Sequence, residues 1–313
     1  MADVKKIATR QSYGDALVEL GRDHDDFMVL DADLAAATKT GAFKAAFPDR
    51  FLDCGIAEQN LMGVAAGIAA AGHKVFASTF AMFAAGRAFE IVPNSIGYPH
   101  LHVVIGATHA GTSVGEDGAT HQCNEDIALM RTIPGMTVIV PADDTEAKAA
   151  VRAAYEADGP VYLRLGRLAV PVIHGDDYEF QVGKAVVERE GTDVTVVACG
   201  LMVASALEAA EALAAKGISC EVVNMATVKP LDEETLLASA RKTGRVVTGE
   251  EHSVIGGLGS AVCDVLSEKL PTPVKKVGVQ DVFGESGPAV DLLAKYGLEG
   301  AGVAASSEEF VRA

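Results

Sequence analysis

An isolated acid at position 58 is the first residue whose type and setting could do chemistry. Glu58 lies in the segment Asp-Cys-Gly-Ile-Ala-Glu-Gln-Asn (53–60), and residues 61–72 are only Leu, Met, Gly, Val, Ile and Ala. A carboxylate at the start of so apolar a helix is expected to be largely buried. Burial disfavours its charged form, so it could hold or share a proton near neutral pH. A carboxylate that caps the first helical turn fits this segment equally well.

A long loop at residues 106–122 is the second candidate. It holds two histidines, His109 and His121, two acids, Glu116 and Asp117, and four glycines. A loop so rich in titratable groups is more often functional than connective. A metal site is disfavoured, because the histidines lack short helical ligand spacing and the loop offers no third ligand set.

Two aromatic residues and one cation lie near the ends of predicted strands. Phe80 and Phe83 are three residues apart at a strand-to-helix turn and so share a helix face. Such a pair usually belongs to the core. However, aromatic residues make up only 5% of this chain, and open α/β sheets bind ligands at this edge. Arg167 follows a strand and on its own indicates a solvated charge.

Two further motifs allow both a binding and a structural interpretation. Asp31-Ala-Asp33 follows a predicted strand, where it could face a ligand or form a turn. Gly249–Gly259 contains Gly-Gly-Leu-Gly before a predicted helix, and those glycines could cradle an anion. A tight turn explains the second motif more simply, so the sequence assigns no role to this part of the chain.

The elements that must position these residues follow an α/β pattern. Short β-branched runs alternate with amphipathic stretches, which predicts two doubly wound domains with mostly parallel sheets. We expect a first domain at 1–170, a linker at the polar, turn-rich 171–192 and a second domain at 193–313. The strands expected in the first domain are 27–30, 74–78, 101–105, 136–140 and 160–167, and the helices are 8–22, 41–47, 125–132, 145–157 and those starting near 58 and 79. The second domain is expected to have strands at 194–199, 220–224, 245–249 and 275–279 and helices at 202–216, 232–242, 258–269 and 287–296.

Composition limits the classes of partner. The 313 residues carry a net charge of −17 with no Lys/Arg-rich run, which argues against nucleic acid or an anionic membrane surface. Five widely spaced cysteines without a Cys-x-x-Cys pair indicate a reducing compartment. The start, Met1–Ile7, has no apolar leader pattern, and no later apolar run is long enough to span a bilayer. We therefore expect a soluble cytoplasmic protein.

Five segments resemble the successive signatures of the transketolase family. They are Gly-Ile-Ala-Glu-Gln-Asn (55–60), Ser-Thr-Phe-Ala-Met-Phe (78–83), Thr-His (108–109), Gly-Glu-Asp-Gly-Ala-Thr-His-Gln (115–122) and Pro-Ala-Asp (141–143). Their order is that of the family's pyrimidine-binding domain, and the rest of the chain is similar to its C-terminal domain. The resemblance covers essentially the whole length and implies the fold of those two domains.

The resemblance gives the first candidates a cofactor. Glu58 is expected to hydrogen-bond N1′ of the aminopyrimidine of thiamine diphosphate and so promote removal of the C2 proton of the thiazolium. Phe80 and Phe83 are expected to form an aromatic wall against the pyrimidine ring. The implied reaction moves a two-carbon ketol unit from a ketose phosphate of the xylulose 5-phosphate type to an aldose phosphate of the ribose 5-phosphate type.

The resemblance also implies a substrate site. His109, His121 and Asp117 are expected to face the sugar hydroxyls or phosphate, and the two histidines join Glu58 as the expected catalytic residues. Arg167, with Ser12 as a weaker match, is expected to hold the phosphate. A guanidinium suits this role because its planar fork can donate two hydrogen bonds to one phosphate group.

A missing signature points to a partner. Transketolases bind magnesium and the diphosphate through an N-terminal domain with a Gly-Asp-Gly…Asn signature, and nothing in this chain matches it. The resemblance therefore implies the C-terminal subunit of a split transketolase, with Mg²⁺ ligands supplied by a separate N-terminal subunit. Small residues on the helix that follows Glu58 would let a second copy approach closely, so we expect a homodimer core within a heterotetramer.

The chain departs from the family pattern at two places, and other families remain open. Ala110-Gly111 replaces Asp-Ser after Thr-His, and Gly86 stands where a third aromatic is usual, which opens one side of the pyrimidine pocket. The alternatives are a 1-deoxy-xylulose-5-phosphate synthase, a 2-oxo-acid dehydrogenase β subunit and a non-catalytic scaffold module. The 106–122 loop disfavours the first two, and retention of Glu58 and the loop histidines disfavours the third.

Overall fold

Two sheets organise the chain in the computed structural model, which describes residues 5–313. The start of the predicted first domain and part of the expected leader-free segment, residues 1–4, lie outside the described residues. The first sheet has seven strands in the order β12 (Thr227–Lys229), β6 (Thr137–Ile139), β7 (Val161–Arg164), β5 (Val103–Thr108), β4 (Lys74–Phe80), β2 (Phe27–Asp31) and β3 (Phe51–Asp53). The second has five in the order β14 (Val274–Val279), β13 (Val246–Ser253), β10 (Val194–Ala198), β11 (Cys220–Asn224) and β9 (Val186–Arg189). The fold is thus α/β with mostly parallel sheets, as predicted.

The centre of the first sheet consists of apolar strands. Parallel strands covered by helices on both faces are expected to be continuous hydrophobic runs, and β2, β4, β5 and β7 fit this description. The antiparallel strand β12 lies beside β6 at one edge.

Helices pack on both faces of the first sheet, with one hydrophobic cluster on each side. The α-helices are α1 (Thr9–Asp23), α2 (Ala35–Thr38), α3 (Gly41–Ala46), α4 (Glu58–Ala70), α5 (Asp126–Arg131) and α6 (Asp144–Glu156). Two π-helical segments, Met82–Arg87 and Val92–Gly97, follow β4. A short ribbon pairs β1 (Lys6–Ala8) with β8 (Ala169–Pro171).

The second sheet is parallel except at one edge, where β9 runs antiparallel to β11. The helices of this part are α7 (Met202–Ala214), α8 (Glu233–Thr243), α9 (Leu258–Lys269), α10 (Ala289–Lys295) and α11 (Gly300–Arg312). None of the helices in residues 5–313 combines the length and apolarity needed to cross a membrane.

Several elements differ from the sequence prediction, among them the short strands β1, β3 and β8 and the two π-helical segments that replace the helix expected near residue 79. The interval 171–192, predicted as a linker, contains β9, which joins the second sheet. Strand β12 was not predicted, and it returns from the second part of the chain to pair with β6 of the first sheet. Helix α11 was also not predicted, and it packs against α7. A three-residue strand such as Thr-Val-Lys has too short a pattern to recognise without its neighbours.

Candidate active site

The candidate residues meet at the carboxyl edge of the first sheet. Strands β4 and β5 are parallel neighbours with Phe80 opposite Thr108, so Phe80 and His109 leave the sheet at the same place. Glu58 begins α4, whose last residues lead into β4. Strand β2 ends nearby at Asp31, opposite Ser78. A carboxylate, two aromatic rings and the histidine loop therefore lie at this edge, which is where open α/β sheets bind their ligands.

Glu58 is buried and ion-paired. It is 2% exposed, which confirms the burial expected from the apolar residues that follow it. One nitrogen of Arg87, Nη1, donates to both carboxylate oxygens at 2.9 Å, while the Arg87 side chain is 51% exposed. Sequence reasoning missed this partner. The buried acid therefore has a half-exposed arginine as its direct partner.

Four rings form one cluster. Phe80 and Phe83 stack with ring centroids 5.7 Å apart, and Phe80 also stacks on His109 at 3.8 Å. His121 meets Phe83 edge-on at 5.5 Å. These four side chains were singled out separately in the sequence. In the structure they form one ring cluster.

The structure fixes the tautomer of His109. A guanidinium can only donate, and Arg10 Nη1 lies 2.9 Å from His109 Nε2, so Nε2 is the acceptor. The proton then lies on Nδ1, 2.9 Å from Thr108 Oγ1. Burial and the nearby cations, Arg10 before Arg167, lower the pKa of His109 to about 3. A neutral imidazole with its Nδ1 proton held by Thr108 is the result.

Arg10 and Lys39 are the cations that sequence reasoning missed. Arg10 Nη1 also donates to Ala37 O at 3.0 Å, which places the α2 region beside the ring cluster. Lys39, just after α2, contributes to the positive field at His109. The sequence shows only that Arg10 lies near the start of a predicted helix, two residues before Ser12. Nothing local distinguishes it from an ordinary helix-surface cation.

Arg167 has its own partners. Its Nη1 donates to Val114 O and to Glu116 Oε2, the latter at 3.1 Å. Both acceptors belong to the histidine loop. Arg167 thus ties that loop to the end of β7, and it also adds to the positive field at His109.

Two predicted substrate residues lie apart from the ring cluster. Ser12 is fully buried, and its hydroxyl donates to Ala8 O within the first turn of α1. Asp117 is exposed at the end of a 3₁₀ segment, Thr112–Asp117, and the structure shows no hydrogen bond or ion pair of its carboxylate within residues 5–313. The observed contacts do not bring either residue to the rings.

The two ambiguous motifs are structural. Asp31 accepts hydrogen bonds from Leu34 N, Thr38 Oγ1 and Thr40 Oγ1, so it holds the turn that carries Lys39. In the second motif, Glu250 accepts hydrogen bonds from the first amides of α9, at Leu258 and Gly259. A carboxylate of this chain therefore occupies the helix start that could have held an anion.

The second domain supports the histidine loop. Glu251, on β13, accepts hydrogen bonds from Ser113 N and Thr112 Oγ1. Gln122 Nε2 donates to Glu285 O at 2.9 Å and also to loop carbonyls. Burial raises the pKa of the Glu251 carboxyl, and Arg164 opposes that shift. The sequence did not reveal a role for this domain. In the structure it holds the histidine loop through Glu251 and Glu285.

The site suits an aminopyrimidine. Glu58 is a buried carboxyl group, and its partner Arg87 lies over the ring of Phe83. Gly86 leaves open space, since an added Cβ would contact only Met82 Sδ at 3.5 Å. Groups of three or more His, Cys, Asp or Glu side chains that could hold a metal are absent from residues 5–313.

Two family models cover most of the chain. The transketolase pyrimidine-binding domain matches residues 5–172, and the transketolase C-terminal domain matches residues 183–303. The chain belongs to the transketolase family. The boundary between the two family models lies close to the boundary between the two sheets, except that strand β12 belongs to the first sheet.

Several relatives match the chain along nearly all of its length. It is 49% identical to a provisionally named transketolase C-terminal section of Methanocaldococcus jannaschii, over 94% of this chain and 93% of that protein. It is 46% identical to the 6-deoxy-6-sulfo-D-fructose transketolase subunit of Clostridium sp. (strain MSTE9), over 97% and 92%. A solved split-gene transketolase, described as an inactive beta4 tetramer, is 56% identical with a TM-score of 0.91, over 98% and 99%. Members of this transketolase family thus include separate subunits of this length.

Proposed function

We propose that this chain is the catalytic C-terminal subunit of a split transketolase. It would act with a separate subunit that binds the diphosphate and Mg²⁺, and the pair would transfer a two-carbon ketol unit between phosphorylated sugars. Thiamine diphosphate, the cofactor that the family implies, supplies the chemistry for breaking and forming the carbon–carbon bond. The observation that carries the proposal is a buried Glu58 whose ion-pair partner, Arg87, lies over the ring of Phe83 in the Phe80–Phe83 stack.

Glu58 and the phenylalanines would orient the cofactor. In a site that is largely closed to water, the Glu58 carboxyl group would donate a hydrogen bond to N1′ of the aminopyrimidine and share that proton with the ring nitrogen. Phe80 and Phe83 would exclude water and contact the ring. Neutral His109 would accept a hydrogen bond from a sugar hydroxyl at Nε2, because its low pKa keeps it uncharged in the physiological range.

Cations around the ring cluster support an anionic sugar as substrate. Arg10, Lys39 and Arg167 all act on His109, within a chain whose net charge is −17. A local positive field inside a negative protein attracts an anion to one place. We assign phosphate binding to these residues. Asp117, exposed at the mouth of the loop, and His121 would contact sugar hydroxyls.

Assembly would complete the site. The face of α4 that carries Gly63 and Gly67 is exposed, and an added Cβ at either glycine would contact nothing. Another helix could approach closely there, and Ile56, 78% exposed, lies just before Glu58. We propose that two copies associate through this face and that two partner subunits flank them. The tetrameric split-gene relative supports self-association of such subunits.

Glu58→Ala tests the proposal. Activity is measured as ketol transfer after the chain is combined with the partner that co-purifies with it. We expect a fall in kcat of about 10²–10⁴-fold, the range for loss of a positioned proton-sharing group. Thermal unfolding monitors the folded state, and Glu19→Ala, which removes an exposed carboxylate paired with Arg152, is the control. Normal turnover by Glu58→Ala would exclude this function.

Arg167→Ala tests the phosphate assignment. A charge-assisted hydrogen bond contributes about 1.5–3 kcal/mol, so KM for a phosphorylated sugar should rise at least about tenfold. KM for the unphosphorylated sugar should change much less. Glu116→Gln, which removes the charge of the loop partner of Arg167, separates loop disorder from loss of phosphate contact. Equal changes in KM for both sugars would remove Arg167 from the phosphate site.

A further inference from the structure

Arg87 makes two contacts with residues of the proposed cofactor site. Its Nη1 donates to both oxygens of Glu58 at 2.9 Å. Its guanidinium carbon also lies 4.6 Å from the centroid of the Phe83 ring. A planar, nitrogen-bearing group thus bonds the buried carboxylate and contacts the aromatic wall.

These two contacts are the ones that the proposed function assigns to the aminopyrimidine. A single Arg87 nitrogen bonds both oxygens of Glu58, the same carboxyl group that would share a proton with the aminopyrimidine. The ring of Phe83, which would contact the cofactor, is already in contact with the Arg87 guanidinium. Arg87 and the cofactor ring therefore compete for the same two partners.

The surroundings allow Arg87 to leave. Its side chain is 51% exposed, whereas that of Glu58 is 2% exposed, so the cation is the member of the pair that can move into solvent. Gly86 next to it has open space. The π-helical segment Met82–Arg87 ends at this residue, and π-helical turns are frequent at functional positions.

We propose that Arg87 is a positioning residue that closes the pyrimidine pocket while the chain is without cofactor. It holds the Glu58 carboxylate in place and covers Phe83, and it swings towards solvent when the cofactor ring binds. This inference rests on the proposed function for the identity of the cofactor. Affinity for the ring then depends on the fraction of molecules in which Arg87 has left Glu58.

Binding of thiamine to the full-length chain tests this competition without any need for turnover. Ligand-observed saturation-transfer NMR gives the dissociation constant for the original protein, Arg87→Ala, Arg87→Ala combined with Glu58→Gln, and Arg152→Ala. Arg152 is the matched control, because it forms an exposed ion pair with Glu19, 2.8 Å long. Circular dichroism and thermal unfolding monitor the folded state of each variant.

We expect Arg87→Ala to bind thiamine about tenfold more tightly, as it would if the closed arrangement held about nine molecules in ten. Arg152→Ala should leave the affinity unchanged, and Glu58→Gln should remove the gain. Equal affinity for Arg87→Ala and the original chain would overturn the proposal, as would a lack of thiamine binding by every variant or a gain that survives Glu58→Gln. Ketol transfer by the assembled enzyme, measured separately, reports on the proposed function alone.

Discussion

At the scale of single residues, two candidate catalytic side chains, His109 and Glu58, are each bonded to an arginine. His109 is kept neutral by burial and by Arg10, while Glu58 lies against the cation Arg87. His109 stacks on Phe80, and Arg87 lies over the ring of Phe83. The pocket therefore contains a neutral imidazole and a buried carboxyl group, each bonded to an arginine.

Arg10→Met should raise the pKa of His109 from about 3, because it removes the nearest cation and keeps much of the side-chain volume. The pKa should stay below its ordinary value, since burial is the larger cause. NMR titration of the imidazole resonances measures this shift. Arg22→Met on the same helix is the control. An unchanged midpoint for His109 in Arg10→Met would show that burial alone holds the ring neutral.

Sequence patterns revealed the members of the site but not their partners. Glu58 was recognisable because a lone acid precedes an apolar helix, and the histidine loop because polar residues cluster in it. Arg87 and Arg10 were missed because their acceptors are 29 and 99 residues away in the chain. Such pairing depends on how β4, β5 and α1 pack. No local pattern of charge encodes it.

At the scale of elements, the histidine loop is held by residues of the second domain. Gly111 approaches Glu251 so closely that an added Cβ would overlap the carboxylate, and its φ of 80° also favours glycine. Gln122 reaches the segment before α10 through Glu285 O. The loop therefore has a fixed shape although it contains little regular structure. Its glycines serve close approach to the second domain as well as turning.

Glu251→Gln should loosen the Thr112–Asp117 segment without changing the core. The amide keeps the shape of the side chain, but it replaces a charge-assisted acceptor of Ser113 N by a weaker one. We expect a loss of about 1–2 kcal/mol in local stability. Hydrogen–deuterium exchange of residues 112–117 measures it as faster exchange at Ser113.

Glu234→Gln, which changes an exposed carboxylate on α8 paired with Lys184, is the control for Glu251→Gln. Faster exchange confined to residues 112–117 in Glu251→Gln would confirm the contact. Exchange at the original rate would show that the remaining contacts, such as Gln122 with Glu285, are enough to hold the loop. The sequence motif around Glu251 gave no sign of this role, because its partner lies 138 residues earlier.

At the scale of the whole molecule, the two domains share structure. Strand β12 leaves the second part of the chain and completes the edge of the first sheet at β6. Alternation of strands and helices predicted the α/β class and nearly all long elements. It did not predict the pairing of β12 with β6, because a strand this short is stabilised by the neighbouring strand of the sheet and has no recognisable pattern of its own.

A buried histidine links the predicted linker to both domains. His174 Nδ1 lies 3.0 Å from Asp143 Oδ1 at the start of α6, and Nε2 lies 3.0 Å from Glu188 Oε1 on β9. Burial lowers the pKa of His174, but the hydrogen bonds to Asp143 and Glu188 outweigh that effect and raise it to about 10. The protonated ring thus bridges two carboxylates across the division between the domains.

This bridge predicts a pH dependence of folding stability. The pKa of His174 is higher in the folded chain than in the unfolded chain, where it is about 6.5, so its contribution is complete below pH 6.5 and is lost as pH rises towards about 10. The loss should be on the order of a few kcal/mol. Denaturant unfolding of the original chain and of His174→Gln, from pH 6 to 10, measures the difference between them. That difference should shrink as pH rises, because only the original chain loses the charged bridge. A difference that stays constant across this range would mean that His174 is neutral in the folded protein, and the domains would then be held by β12 and their packing alone.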